Sequence, residues 1–145
     1  MSKISRSRLS PSALRFVRAA RVAHLATADA RGQPLVIPIC FAFDGKEFFS
    51  PIDEKPKRTI RLKRLRNIEE NSKLSLVIDR YNEDWRRLAY VLITGEGKLL
   101  FRGKKHQRAV KLLRRKYFQY RDMAIQARPL IVVIPHKIKV WGNLP

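Results

Sequence analysis

Apolar and polar positions follow two different periods along this chain, and the places where the period changes mark its elements. Leu14, Val17 and Ala20 recur at helical spacing behind Ser10-Pro11, a capping residue followed by proline at the first helical position. That pattern predicts a helix over Pro11–Ala20. From Val22 the spacing shortens. Val22–Thr27 reads as a strand, and Asp29-Ala30-Arg31-Gly32 carries turn chemistry. Pro34–Phe43 reads as a second strand broken by Pro38, Asp44-Gly45 as a hairpin turn, and Lys46–Pro51 as a third strand. Proline donates no ladder hydrogen bond, so Pro38 is expected at an edge, a bulge or a kink.

A helix follows, with Leu62, Leu65 and Ile68 on its buried side and Asn71 as its stop. Leu74–Ile78 reads as a fourth strand. Leu88–Phe101 is either a strand pair or one bent strand, in which Gly95 and Gly97 mark a bulge or a close approach of backbones. Arg102–Tyr117 reads as another helix. Val110, Leu113 and Tyr117 form its inner side, and Lys104, Arg108, Lys111 and Arg115 its outer one. The apolar run Pro129–Pro135 is a further strand, continued by Lys137–Trp141. No internal repeat appears. Strands dominate and helices sit at their ends, which predicts a mainly β (α+β) fold, a small antiparallel barrel with two or three flanking helices. Residues 1–10 read as a basic arm and residues 11–145 as one domain, long enough for a hydrophobic core.

Charge changes the picture more than composition does. The formal net charge is +20, so the partners expected of this chain are acidic: nucleic acid, an anionic membrane face or a polyanionic small molecule. No apolar run reaches the length of a membrane span, and Met1–Ser10 lacks the apolar core of a signal peptide. The single cysteine, Cys40, allows no internal disulfide and suggests a reducing cytoplasm. His24, His106 and His136 are scattered without ligand spacing, so no metal site is expected.

The cations concentrate between Asp53 and Asn67, where Lys55, Lys57, Arg58, Arg61, Lys63, Arg64 and Arg66 crowd together just past Pro56. A helix beginning near Thr59 points its free N–H groups and the positive end of its dipole toward Lys57 and Arg58, an arrangement suited to a phosphate. The plainer reading of the same stretch is a solvated basic helix. Asp79–Trp85 places three of the twelve acidic residues beside Tyr81 and Trp85. That tryptophan either stacks on a ring or closes one end of the barrel.

The order of strand, Asp-Gly hairpin, strand, Asp53-Glu54-Lys55-Pro56-Lys57-Arg58-Thr59, helix with Leu65-Arg66-Asn67-Ile68, strand and Asp79–Trp85 resembles the pyridoxamine 5'-phosphate oxidase-like proteins. Within them it is most similar to the F420-dependent oxidoreductases. The resemblance runs from about Val22 to Tyr120. It implies an FMN-binding-like split β-barrel that forms a homodimer, with a flavin-like cofactor in a groove between subunits. It places the cofactor phosphate on Lys57 and Arg58 with Lys55 and Ser50 nearby, and the ring along Pro38, Ile39 and Cys40. Trp85 and Trp141 are expected to approach that groove, one of them from the partner chain. The implied activity is hydride transfer between reduced F420 and a small organic substrate. FMN is the alternative cofactor, and a non-catalytic F420 carrier or a basic nucleic-acid-binding module are the alternatives of another class. The chemistry falls mostly to the cofactor, so no catalytic triad is expected. Tyr81, Tyr90 and His24 are the candidate proton donors, unranked.

Overall fold

A computed structural model describes residues 9–52 and 60–144, with the backbone alone for residues 60–62. Most of the basic arm, and Lys55, Lys57 and Arg58, therefore lie outside the described residues. The elements run α1 (Pro11–Ala19), β1 (Ala23–Ala28), β2 (Pro34–Ile39), β3 (Ala42–Phe43), β4 (Phe48–Pro51), α2 (Ile60–Glu70), β5 (Lys73–Arg80), β6 (Ala89–Leu100), α3 (Lys104–Lys116) and β7 (Leu130–Gly142). Short 3-10 turns lie at Trp85–Arg87, Phe118–Asp122 and Ile125–Ala127.

The seven strands form one antiparallel sheet in the order β2-β1-β5-β6-β7-β4-β3. Its first and last strands are neighbours in the chain, separated only by Cys40 and Phe41. Three residue steps reach about 11 Å at full extension, so the sheet has to curl until its two edges meet. The result is the expected split β-barrel, with a seam between β2 and the β3–β4 hairpin.

Several boundaries differ from the sequence pattern for local reasons. The second strand breaks at Cys40 and not at Pro38. Because β2 is an edge strand, the missing N–H of Pro38 costs no pairing on its open side. The third strand starts at Phe48, two residues late, because the Asp44 carboxylate accepts the N–H groups of Lys46 and Glu47, each at 2.8 Å. With Gly45 at φ 101 these residues make a four-residue turn. Leu88–Phe101 resolves into one bent strand, β6. Thr94 pairs with Lys137 and Gly95 with Pro135, leaving His136 as the extra residue of a bulge. Pro135 is tolerated there.

The apolar run of β7 is buried on both sides. Ile131 and Val133 face the barrel interior with Leu25, Phe41, Phe48, Leu76, Val91 and Ile93. Leu130 and Val132 face α3 and pack on Ala109, Val110, Leu113, Tyr120 and Ile125. In β4, Phe48 and Phe49 divide between the same two clusters. A strand covered on both faces loses the two-residue alternation, as Leu-Ile-Val-Val-Ile does. At the N-terminus, α1 is capped as its sequence predicts, the Ala13 N–H donating to Ser10 Oγ at 3.1 Å.

Polar anchors fix α2 to the sheet. Asn67 is fully buried and donates to Thr27 Oγ1 at 3.1 Å. Beyond the helix end, Asn71 donates to the Asp29 carbonyl at 3.3 Å, and Lys63 pairs with the Asp29 carboxylate at 3.4 Å. The Gln33 N–H, followed by the Arg31 N–H and Lys63, holds the Asp29 carboxyl below its ordinary range.

The bulge makes Gly95 irreplaceable, since a Cβ there would lie 2.0 Å from the Ile134 carbonyl oxygen. Gly95→Ala is expected to cost about 1–3 kcal/mol through backbone displacement, read as a lower urea midpoint at an unchanged slope. An unchanged midpoint would show that the bulge yields freely.

Candidate functional site

The seam creates a cleft. At its mouth the last residues of β2, Pro38 and Ile39, and the linking Cys40 face Ser50 and Pro51 of β4, with Val22 and Arg64 of α2 completing the lining. The volume of this open cleft is about 170 Å³. Chain order alone would not place these residues together. Ile39 is positioned by pairing with Ala23, Ser50 by pairing with Ile131, and Arg64 by the Asn67 anchor one turn further along α2. Pro38 and Ile39 supply an apolar rim, while the Ser50 side chain and the Arg64 guanidinium supply polar and cationic groups. Such a lining suits a flat ring with hydrogen-bonding atoms at its edge.

A second layer holds the cleft from behind. The Tyr117 hydroxyl donates to the Arg21 carbonyl at 2.8 Å and accepts the Phe41 N–H at 3.1 Å. One phenol thereby ties the end of α3 to the approach to β1 and to the step that joins the sheet edges. Arg21 returns the connection, its guanidinium lying 4.6 Å from the centre of the Tyr117 ring and donating to the Lys116 carbonyl at 3.0 Å. The Lys116 ammonium sits 3.7 Å from the centre of the Phe41 ring, with Nζ buried and without a hydrogen-bond acceptor among the described residues. Burial, assisted by the charge of Arg21 and opposed by Cys40, pushes it down to about 8. Burial pushes the Tyr117 hydroxyl up to about 12, against the Phe41 N–H bond.

Of the residues singled out in the sequence, Pro38, Ile39, Cys40 and Ser50 meet in the cleft. Trp85 and Trp141 do not line it. Trp85 is 71% exposed, its indole N–H donating to the Tyr81 hydroxyl at 3.3 Å, and Trp141 stacks on Tyr90 with ring centres 5.4 Å apart. Trp141 lies on β7, across three strands from β2. Of the candidate proton donors, only His24 is near the cleft rim, opposite Pro38 in the β1–β2 ladder. The pattern of the sequence missed Val22, Pro51 and the Arg64 contribution, as well as the Arg21–Lys116–Tyr117 layer. Tyr117 was legible only as an inward-facing helix position. Among the described residues there is no group of three His, Cys, Asp or Glu side chains able to hold a metal ion, and no helix long and apolar enough to cross a membrane.

The family model described as pyridoxamine 5'-phosphate oxidase matches residues 9–142. No curated protein matches the chain in sequence. Among solved structures, a conserved hypothetical protein from Mycobacterium tuberculosis aligns with a TM-score of 0.74 at 16% identity, covering 98% of this chain and 90% of its own. HutZ, the heme storage protein from Vibrio cholerae, aligns with a TM-score of 0.73 at 16% identity, covering 93% and 94%. A FAD-binding protein from Mesorhizobium loti aligns with a TM-score of 0.68 at 20% identity, covering 91% and 94%. At these identities the three structures establish the shared fold.

The buried ammonium makes a signed pH prediction. Unfolded, Lys116 holds its proton to about 10.5; folded, it releases it near 8. The stability cost of burying the charge is complete below pH 8 and fades as pH rises toward 10.5. Tyr117 acts in the opposite sense only above pH 10, where the unfolded phenol ionises and the folded one does not. Between pH 8 and pH 10 the melting temperature of the wild type should therefore rise relative to that of Lys116→Met. A constant difference across that range would mean that Lys116 titrates normally.

Proposed function

The chain belongs to the pyridoxamine 5'-phosphate oxidase family, and from that premise we propose that it is an oxidoreductase that uses the deazaflavin coenzyme F420 to reduce a small organic substrate. The observation that carries this reading is the seam cleft, where Pro38, Ile39 and Cys40 meet Ser50, Pro51 and Arg64. Hydride transfer is the chemistry such a cofactor supplies when bound. The residues of the chain have the tasks of holding a ring, orienting it and excluding water. Pro38 and Ile39 cover the apolar part of the ring, and Ser50 and Arg64 bind its polar edge. Lys57 and Arg58, with Lys55 beside them, hold the phosphate.

The size of the cleft supports a site completed by a second copy. At about 170 Å³ it falls below the roughly 300–1,000 Å³ of a typical ligand pocket. Outward-facing positions of the sheet align in the row Pro38–His24–Val77–Leu92–Lys139. Val36, two residues from Pro38, is 62% exposed on the same face. A face of this composition is suited to burial against its own copy. A homodimer formed there brings the partner's aromatic end, with its stacked tyrosine and tryptophan, toward the cleft.

Charge favours F420 over FMN. FMN needs a compact phosphate pocket, whereas F420 carries a phosphodiester and a glutamate tail that a chain of net charge +20 attracts along its length. Parallel fluorescence titrations with F420, FMN and hemin test the choice. F420 is expected to bind at least tenfold more tightly than the other two. Lys57→Ala combined with Arg58→Ala should weaken that binding by about 1.5–3 kcal/mol without altering the melting curve. Tighter binding of FMN would move the protein to the flavin branch, and tighter binding of hemin or of none would overturn the oxidoreductase reading. Tight F420 binding without turnover across a panel of substrates would make it a carrier.

Light scattering tests the groove. The mass in solution should be twice 17.0 kDa. Val36→Asp should give a monomer with weakened cofactor binding, and a wild-type monomer that binds the cofactor tightly would contradict the model of a shared site.

A further inference from the structure

The outer side of α3 is not explained by the cleft, by the fold or by the stability of the helix itself. Seven of its thirteen residues are Lys or Arg and none is acidic. Three of the seven are occupied. Lys105 pairs with Glu47, Arg114 donates to the carbonyls of Tyr120 and Met123, and Lys116 is turned into the layer behind the cleft. The other four, Lys104, Arg108, Lys111 and Arg115, are exposed and make no ion pair or hydrogen bond among the described residues. Their spacing of four, three and four places them on one stripe of the helix, about 16 Å long at 1.5 Å per residue.

Helix energetics disfavours this arrangement. Like charges at these spacings repel, and cations in the first turn oppose the dipole. Yet Lys104 and Lys105 open α3, with no acidic residue in the first turn and no side-chain cap from Gly103. An exposed aromatic residue flanks each end of the helix, Phe101 at 60% and Phe118 at 65% exposure. The apolar side of α3 is already used, with Ala109, Val110 and Leu113 buried against the sheet. It therefore has no apolar face to lay on a lipid surface, and the stripe is left as a row of cations between two rings.

We infer that this face of α3 binds single-stranded nucleic acid, with Lys104, Arg108, Lys111 and Arg115 contacting successive phosphates and Phe101 and Phe118 stacking on bases at either end. The stripe spans roughly three to five phosphates of one strand. Phosphate contacts of this kind release counterions, and exposed rings accept any base. The inference is independent of the cofactor reading, because it uses none of the cleft residues.

The test is fluorescence anisotropy of the full-length protein with a fluorescein-labelled single-stranded uridine oligomer and with its duplex, each over a range of salt concentrations. The variant Lys104→Gln, Arg108→Gln, Lys111→Gln, Arg115→Gln should bind the single strand at least tenfold more weakly. Its slope of log K against log salt should be shallower by about 2–3, from about 0.7 per lost contact. A control that removes four exposed charges elsewhere, Arg31→Gln, Lys73→Gln, Lys98→Gln, Lys137→Gln, should stay within twofold of the wild type. Phe101→Ala with Phe118→Ala should lower single-strand affinity about tenfold at an unchanged slope. Equal losses in the two charge variants would reduce the effect to net charge and overturn the inference, as would tighter binding of the duplex. On the wild-type protein, bound oligomer should protect Lys104 and Lys111 from acetylation more than Lys73 and Lys98. Uniform protection would also overturn it, whatever the folding of the variants.

Discussion

A curled sheet has two free edges, and in this chain one short step, Cys40–Phe41, has to join them. The geometry of that step is held by a single phenol. Tyr117 accepts the Phe41 N–H and donates to the Arg21 carbonyl, connecting segments 76 and 96 residues apart in sequence. Buried backbone groups left without partners are costly, so the hydroxyl both satisfies the Phe41 N–H and fixes where the seam closes. Arg21 and Lys116 then stack around Tyr117 and Phe41. Through the position of α3, the same contact orders the second hydrophobic cluster, in which Tyr117 packs edge-on to Tyr120.

The cleft follows from that closure. Where β2 and β4 approach without pairing, the ladder is interrupted and side chains from both edges line a gap. The two edges differ in chemistry. Pro38 and Ile39 on β2 are apolar, whereas on β4 Phe48 and Phe49 are committed to two cores and leave Ser50 as the polar group beside Pro51. Helix α2 approaches from outside, its Asn67 bonded to Thr27, and brings Arg64 to the rim. Fold and site thus have one cause, the incomplete closure of a barrel.

The order of elements was legible because it depends on local chemistry. Ser10-Pro11 capped a helix, Asp44-Gly45 turned a hairpin, and Gly95 marked the bulge that lets β6 follow β7. Four residues of the cleft, Pro38, Ile39, Cys40 and Ser50, were also legible, through likeness to a family rather than through spacing. What was not legible is what depends on contacts between distant segments. Nothing local distinguishes Tyr117 from another inward helix position, or Arg64 from its neighbouring cations. Lys116 stands among surface cations in sequence, yet its amine is buried over the ring of Phe41, in the distant step between β2 and β3. The long apolar run of β7 showed a strand but not that two cores share it.

On the proposed reading, the seam between β2 and β4 holds a cofactor ring. Amide hydrogen exchange with and without saturating F420 tests it most directly, because exchange reports protection residue by residue in the intact protein. Slower exchange is expected to concentrate in residues 39–41 and 48–50 and in the turn of α2 around Arg64, with α3 unchanged. Protection confined to the Tyr81–Arg87 segment or to α3, with the seam unaffected, would contradict it.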